Sequence, residues 1–215
     1  MGTTPYGING PIRGKIGTVH GSSRNGKPYV KGPYKKRTTK ISEKEVANRV
    51  HFDYTHSWLK PITDFVREGF RGFPYKDTSE GYVSAYSYLI SHALEGEKPN
   101  RTINPALMRV SYGTLPLSND IAVEESAPGI LKFTWDKTCS VDGPASKDQV
   151  MLLAYDIERG KVKKNLLGQF RCVGEDYLIV GAGNEGFTYH IYLAFLAADR
   201  SSRSHSVYLG PITIS

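Results

Sequence analysis

Apolar and polar positions follow different rhythms along this chain. Between residues 14 and 31 they alternate, as Lys15-Ile16-Gly17-Thr18-Val19-His20 and then Lys27-Pro28-Tyr29-Val30-Lys31. Period two predicts a β-hairpin whose polar turn is Gly21-Ser22-Ser23-Arg24-Asn25-Gly26, because Asn-Gly adopts positive φ readily. A two-stranded hairpin alone is marginal in water, so this one is expected to order only against a neighbour. From Ser42 the spacing lengthens to four. Val46, Val50, Tyr54 and Trp58, joined by Ile62 and Phe65, form one stripe at helical period. Ser42 with Glu45 three residues on has the spacing of a capping box, Pro61 kinks the helix or starts a second one, and Gly69 marks its end. A further helix is predicted over about 80–94, capped by Ser79, with Val83, Tyr86, Ile90, Ala93 and Leu94 on one face and Gly96 beyond its end.

Residues 97–105 read as a linker, and from Leu107 the period returns to two. Strands are predicted at about 107–112, 129–136, 148–157, 161–167, 176–181, 187–198 and 205–214, separated by Gly, Pro, Asn, Asp and Ser. Seven short strands in so short a stretch point to an immunoglobulin-like sandwich, although the cysteine spacing of true immunoglobulin domains is absent. The expected fold class is therefore α+β. An N-terminal β-hairpin arm (1–41) precedes a two-helix segment (42–104) and a C-terminal seven-stranded β-sandwich (105–215).

Charge changes this picture at one place. The first 42 residues hold Arg13, Lys15, Arg24, Lys27, Lys31, Lys35, Lys36, Arg37 and Lys40 and no carboxylate, so the net charge of +7 comes wholly from the arm. Such a segment, rich in glycine, cannot bury its charge or build a core of its own, and it calls for a partner. Tyr29 and Tyr34, with Tyr6 before them, interleave with the cations, which suits stacking on bases as well as contacts to phosphates. The 14 Tyr, 8 Phe and 2 Trp suffice for a packed core elsewhere. No signal-peptide h-region and no run of 18 apolar residues is present, so a soluble protein made in the cytoplasm, without membrane insertion, is expected. Two reduced core thiols at Cys139 and Cys172 are favoured over a bridge between them.

Several motifs fit a chemistry and fail on context. Gly181 to Gly186 spells the dinucleotide fingerprint, but the strand pattern Phe187 to Tyr192 stands where a helix must begin. Gly21 to Lys27 opens like a phosphate-binding loop, yet Pro28 occupies the position that must supply a hydroxyl. His51 and His56, five apart, do not share a helix face, and no His-Glu-x-x-His occurs, so neither metal nor cofactor is expected. No catalytic constellation emerges.

Gly129 to Trp135, Val150 to Tyr155, Tyr189 to Ala198 and Ser206 to Gly210 resemble strands of the fibronectin type III class, which implies architecture and not activity. Taken whole, the chain is similar to a bacterial family of domains of unknown function. Gly14 to Val19, Gly21 to Ser23, Gly26 to Tyr29, Pro33, Arg49 to Phe52, Leu59 to Pro61, Gly69-Phe70 and Val207 to Gly210 carry that likeness. Ser42-Glu43-Lys44-Glu45 departs from the Gln-rich helix start of that family. The arm also resembles Gly-, Tyr- and Arg-rich starts of some prophage-encoded proteins.

The leading expectation is a non-enzymatic structural protein that assembles with other copies of itself, into a filament or particle, by exchange of the arm. The alternative is a nucleic-acid-binding or phage-like virion protein using the same basic residues, and a carbohydrate-binding or adhesive module stands third. Glycine content and β pattern favour the first, since generic nucleic-acid tails are richer in Lys and Arg runs.

Overall fold

The computed structural model describes residues 2–7, 10–24, 26–33, 35–73, 81–96, 101–138, 146–181 and 183–215. The chain divides into two compact units, residues 1–43 and 44–215.

The first unit is a three-stranded antiparallel sheet in the order β1 (Gly14–Ile16), β2 (Val19–Arg24), β3 (Lys27–Lys31). The predicted hairpin is thus a meander. Gly17, with φ of +57°, opens a two-residue turn joining Ile16 to Val19, a break that alternation hides. The stretch Gly21 to Arg24, expected as turn, is strand. Only Asn25-Gly26 separates the paired Arg24 and Lys27; Gly26 takes φ of +75°, and Asn25 lies outside the described residues.

The second unit opens with α1 (Glu43–Leu59), which begins one residue after Ser42. A 3₁₀ turn at Lys60–Ile62 carries Pro61, and α2 (Thr63–Gly69) follows, so proline marks the joint between the two helices. Next comes α3 (Gly81–Tyr88), continued by a π-helical turn at Leu89–Ala93; Ser79, its expected cap, lies outside the described residues. Short strands β4 (Leu94–Glu95) and β5 (Thr102–Ile103) pair beyond it.

The remaining strands form two antiparallel sheets. One joins β6 (Ala122–Ala127), β7 (Ile130–Thr134) and β10 (Glu175–Ile179) in the order β10-β7-β6. The other joins β8 (Gln149–Asp156), β9 (Lys161–Asn165), β11 (Thr188–Leu196) and β12 (Val207–Thr213) in the order β12-β11-β8-β9. Leu131, Phe133 and Leu178 from the first meet Val150, Leu152, Ala154, Tyr189, Ile191, Leu193 and Phe195 from the second in one core. The opposite face of the four-stranded sheet, Met151, Leu153, Tyr155, Tyr192, Ala194 and Leu196, packs against Trp58, Leu59, Ile62, Phe65, Val66, Phe70, Ala85 and Leu89 of the helices. Helices, four strands and three strands therefore form three layers. β8 and β11 lie in the middle, buried on both faces, which is why they read as unbroken apolar runs. The Tyr155 hydroxyl donates to the Trp58 carbonyl at 2.9 Å, and burial, with Asp156 nearby, pushes its pKa up to about 12.

Four expectations are corrected here. Residues 107–112 are not a strand: Met108 and Val110 are buried, but the backbone is satisfied by irregular partners. Val110 N donates to Ser206 Oγ (2.9 Å) and Tyr112 N to the Gly69 carbonyl (3.0 Å). β6 falls outside the predicted strands, because Glu124 and Glu125 weaken its strand signal and only alternate positions face the core. On α1 the stripe is core only from Trp58 onward; Val46, Val50 and Tyr54 are exposed. On the third helix and its π-helical turn, Tyr86, Ala93 and Leu94 of the expected face do meet the core, but Val83 and Ile90 face out, and Gly81, Ser84, Ala85 and Leu89 are buried instead. The reason is close approach: a Cβ at Gly81 would overlap the Arg67 carbonyl, so small residues must face α2.

Candidate polyanion- and subunit-binding surface

Facing residues of neighbouring strands point to the same side of a sheet, and successive residues alternate. The register of the N-terminal sheet pairs Lys15 with His20 and His20 with Lys31, Ser22 with Tyr29, and Arg24 with Lys27. One face therefore carries Lys15, His20, Ser22, Arg24, Lys27, Tyr29 and Lys31. The other carries Ile16, Val19, Gly21, Ser23, Pro28 and Val30. The parity that separates them switches at each two-residue turn, so both the cations and the apolar side chains sort cleanly.

The basic face repels itself. Arg24 stands directly opposite Lys27 at the turn, where like charges destabilise a sheet, and Lys15 and Lys31 flank His20 in one row across the strands. Lys27 and Lys31 lie about 13 Å apart along β3 with Tyr29 midway, from the rise of a strand. No carboxylate precedes Glu43, the last residue of this unit, so the strands themselves hold nothing that neutralises these cations.

The apolar face is barely covered. Among the described residues of this unit only Gly21 is buried. A Cβ there would overlap the Ile12 carbonyl, so the segment before β1 crosses the sheet at that glycine. Thr3 and Arg13 pair through both backbone bonds (Thr3 N to Arg13 O 2.7 Å, Arg13 N to Thr3 O 2.8 Å), which fixes that crossing. Ile16 and Val30 remain exposed.

Of the residues singled out from sequence, Lys15, Arg24, Lys27, Tyr29 and Lys31 share the basic face. Arg13 flanks it at the Thr3 bridge. Lys35, Lys36, Arg37 and Lys40 follow in an exposed irregular segment, where the Arg37 guanidinium donates to Thr39 Oγ1 (3.2 Å) and the Lys40 carbonyl (3.4 Å). Tyr34 lies outside the described residues. His20 and Ser22 belong to the face and escape the sequence reading, which places the turn at Gly21 to Gly26.

Gly181 to Gly186 connects β10 to β11, and Gly186 N donates to the Ile214 carbonyl just past the end of β12 (2.8 Å). Cys172 is an exposed free thiol and not a core residue, whereas Cys139 lies outside the described residues. Among the described residues no helix is long and apolar enough to cross a membrane.

No curated protein and no solved structure matches this chain. One family model does, over residues 11–210, from the segment that crosses the basic sheet to the middle of β12. With nearly its whole length covered, the chain belongs to the family of unknown function DUF6266.

Proposed function

We propose that this protein is a non-enzymatic structural protein that assembles with other copies of itself through its N-terminal arm, into a filament or particle. The observation that carries the reading is a folded sheet without a core: three paired strands in which Gly21 alone is buried among the described residues. Three strands are stable when one face is packed, and this unit offers Ile16, Val19, Pro28 and Val30 for that packing without burying any of them. A polyanion would satisfy the cations and leave these side chains in water, so the apolar face favours protein. Edge strands β1 and β3 add backbone groups suited to pairing with a neighbouring subunit. Heterologous contact of this kind closes into rings or propagates as filaments. The two facing sheets, with orders β10-β7-β6 and β12-β11-β8-β9, support reading the body as a fibronectin type III-like sandwich with a helical layer on one side.

The self-repelling basic face favours a second reading, in which the same arm also holds nucleic acid, as in a phage-like particle. Lys27, Lys31 and Arg24 would contact phosphates and Tyr29 would stack on a base, with affinity falling steeply as salt rises.

The two faces can be tested separately. Val19→Ser/Val30→Ser should dissolve assemblies seen by sedimentation velocity while keeping salt-dependent binding of an oligonucleotide. Lys27→Glu/Lys31→Glu should do the reverse. Assembly that survives the apolar-face variant removes the first reading, and oligonucleotide binding absent near 50 mM salt (about the low end at which phosphate contacts are strong) removes the second.

A further inference from the structure

The second unit holds a cleft of about 570 Å³, within the size range of small-ligand sites. It lies where the end of α2 meets the connection between β11 and β12. Arg71, Arg200 and Arg203 line it together with Phe73, Tyr112 and Ser202. The frame is well tied. Arg203 is buried and donates to Glu68 twice, to the carbonyl at 2.9 Å and to Oε1 at 2.7 Å. Ser111 Oγ and Tyr112 N donate to the Gly69 carbonyl (3.2 and 3.0 Å), and a Cβ at Gly113 would overlap the Arg203 carbonyl, so this segment is seated directly on the β11–β12 connection.

Charge in the cleft is out of balance. Glu68 divides its two oxygens between Arg203 and Arg71, the latter at 2.9 Å. Two guanidiniums thus share one carboxylate, and Arg200 is a third. Asp199, beside it, turns its carboxylate onto Ser201 N (3.0 Å) and Ser201 Oγ (2.7 Å). Arg71 is mostly exposed, and a guanidinium has five donors, of which one carboxylate oxygen engages few. Arg200 adopts φ of +59°, a backbone state in which glycine or asparagine would be less strained. The lining is also aromatic: Phe73 and Tyr112 have ring centroids 4.0 Å apart, and the Arg109 guanidinium lies 5.4 Å from the Tyr112 ring.

We propose that this cleft binds a small organic anion, a phosphate or carboxylate attached to a planar ring, with Arg200 and Arg71 holding the anionic group and Phe73 and Tyr112 meeting the ring. Guanidinium forks match both anions in a bidentate manner, and an aromatic wall adds ring contact that a bare anion cannot use. Every residue lining the cleft belongs to the second unit.

Isothermal titration of the full chain with adenosine 5′-monophosphate and with benzoate tests it, with adenosine and inorganic phosphate as controls. Binding of either ring-bearing anion with Kd below about 1 mM is expected. AMP alone would assign a phosphate ligand, and benzoate alone a carboxylate. Arg200→Ala should weaken that binding about tenfold or more, the loss of one charge-assisted contact, with the urea midpoint unchanged because the side chain is exposed. Phe73→Leu should weaken the ring-bearing anion and leave phosphate as it was. The proposal is overturned if neither ring-bearing anion binds, if Arg200→Ala binds as the parent does, if adenosine binds as tightly as AMP, or if phosphate alone matches both ring-bearing anions.

Discussion

Arg171 is fully inaccessible, the most buried cation among the described residues of the second unit. It sits on the 3₁₀ turn Arg171–Val173 before β10, with its guanidinium 3.2 Å from Asp148 Oδ2, 2.9 Å from the Pro116 carbonyl and 3.9 Å from the centroid of the Phe195 ring. Its backbone is engaged as well: Arg171 N donates to the Asp148 carbonyl (2.7 Å), and Trp135 Nε1 donates to the Arg171 carbonyl (2.7 Å). One side chain thereby joins the segment before β6, the start of β8 and a core ring of β11. Arg171→Met keeps most of the apolar stem and removes the charge, leaving the Asp148 carboxylate buried without this cation. Removing one member of a buried pair costs about 3–5 kcal/mol. With a urea slope near 2 kcal/mol/M, about 4 kcal/mol moves the midpoint down by about 2 M. Asp148→Asn should cost less, since Arg171 keeps the Pro116 carbonyl and the Phe195 face. The double variant Arg171→Met/Asp148→Leu should recover most of the loss, because no buried charge is left uncompensated. A midpoint shift of less than about 0.5 M for Arg171→Met would refute the reasoning, since so small a cost belongs to a solvated pair.

Two further outcomes follow from geometry and titration. Burial holds the imidazoles of His190 and His205 below the ordinary 6.5, with the Arg109 charge adding to the effect at His205 and Asp156 and Glu158 opposing it at His190. The unfolded chain therefore takes up protons first: stability is whole above about pH 6.5 and declines as pH falls below it. Urea midpoints at pH 7.5 and 5.5 should show that decline, reduced in His190→Gln, and a flat or rising midpoint toward acid would contradict it. Gly21→Val places side-chain atoms where the Ile12 carbonyl lies, so it should loosen the N-terminal sheet and speed tryptic cleavage at Arg24 and Lys31 without moving the unfolding midpoint of residues 44–215; unchanged cleavage would argue against the crossing at Gly21.

Where a segment meets water on one face, its pattern is legible. Alternation locates β7, β9 and β10, and the four-residue stripe with Pro61 locates α1, the joint and α2. Elements whose surroundings are unusual are harder. Met108 and Val110 alternate as a strand would, but they pack into the core beneath the helical layer, and their backbone N–H groups donate to the Pro105 carbonyl and the Ser206 hydroxyl, not to a neighbouring strand. β6 shows only Val123 and Glu125 partly buried, so its apolar signal is too thin to stand out against Glu124 and Ser126. The buried face of α3 is partly misplaced from sequence, at Val83 and Ile90, because periodicity finds large apolar side chains, whereas close backbone approach selects Gly81, Ser84 and Ala85. The candidate surface is half legible. Charge locates it, but its division into two faces depends on the turn at Gly17, which alternation alone does not reveal. Nothing in the sequence brings Arg71 and Arg200 together, since their meeting depends on how α2 and the β11–β12 connection pack.

The central claim is that the arm joins one copy of this chain to the next, and removing it is the most direct test. Sedimentation velocity on the full chain and on a variant lacking residues 2–40 should show assemblies for the first and a folded monomer for the second, with negative-stain images agreeing. Particles or filaments that persist without the arm, or a full chain that stays monomeric, would contradict the account.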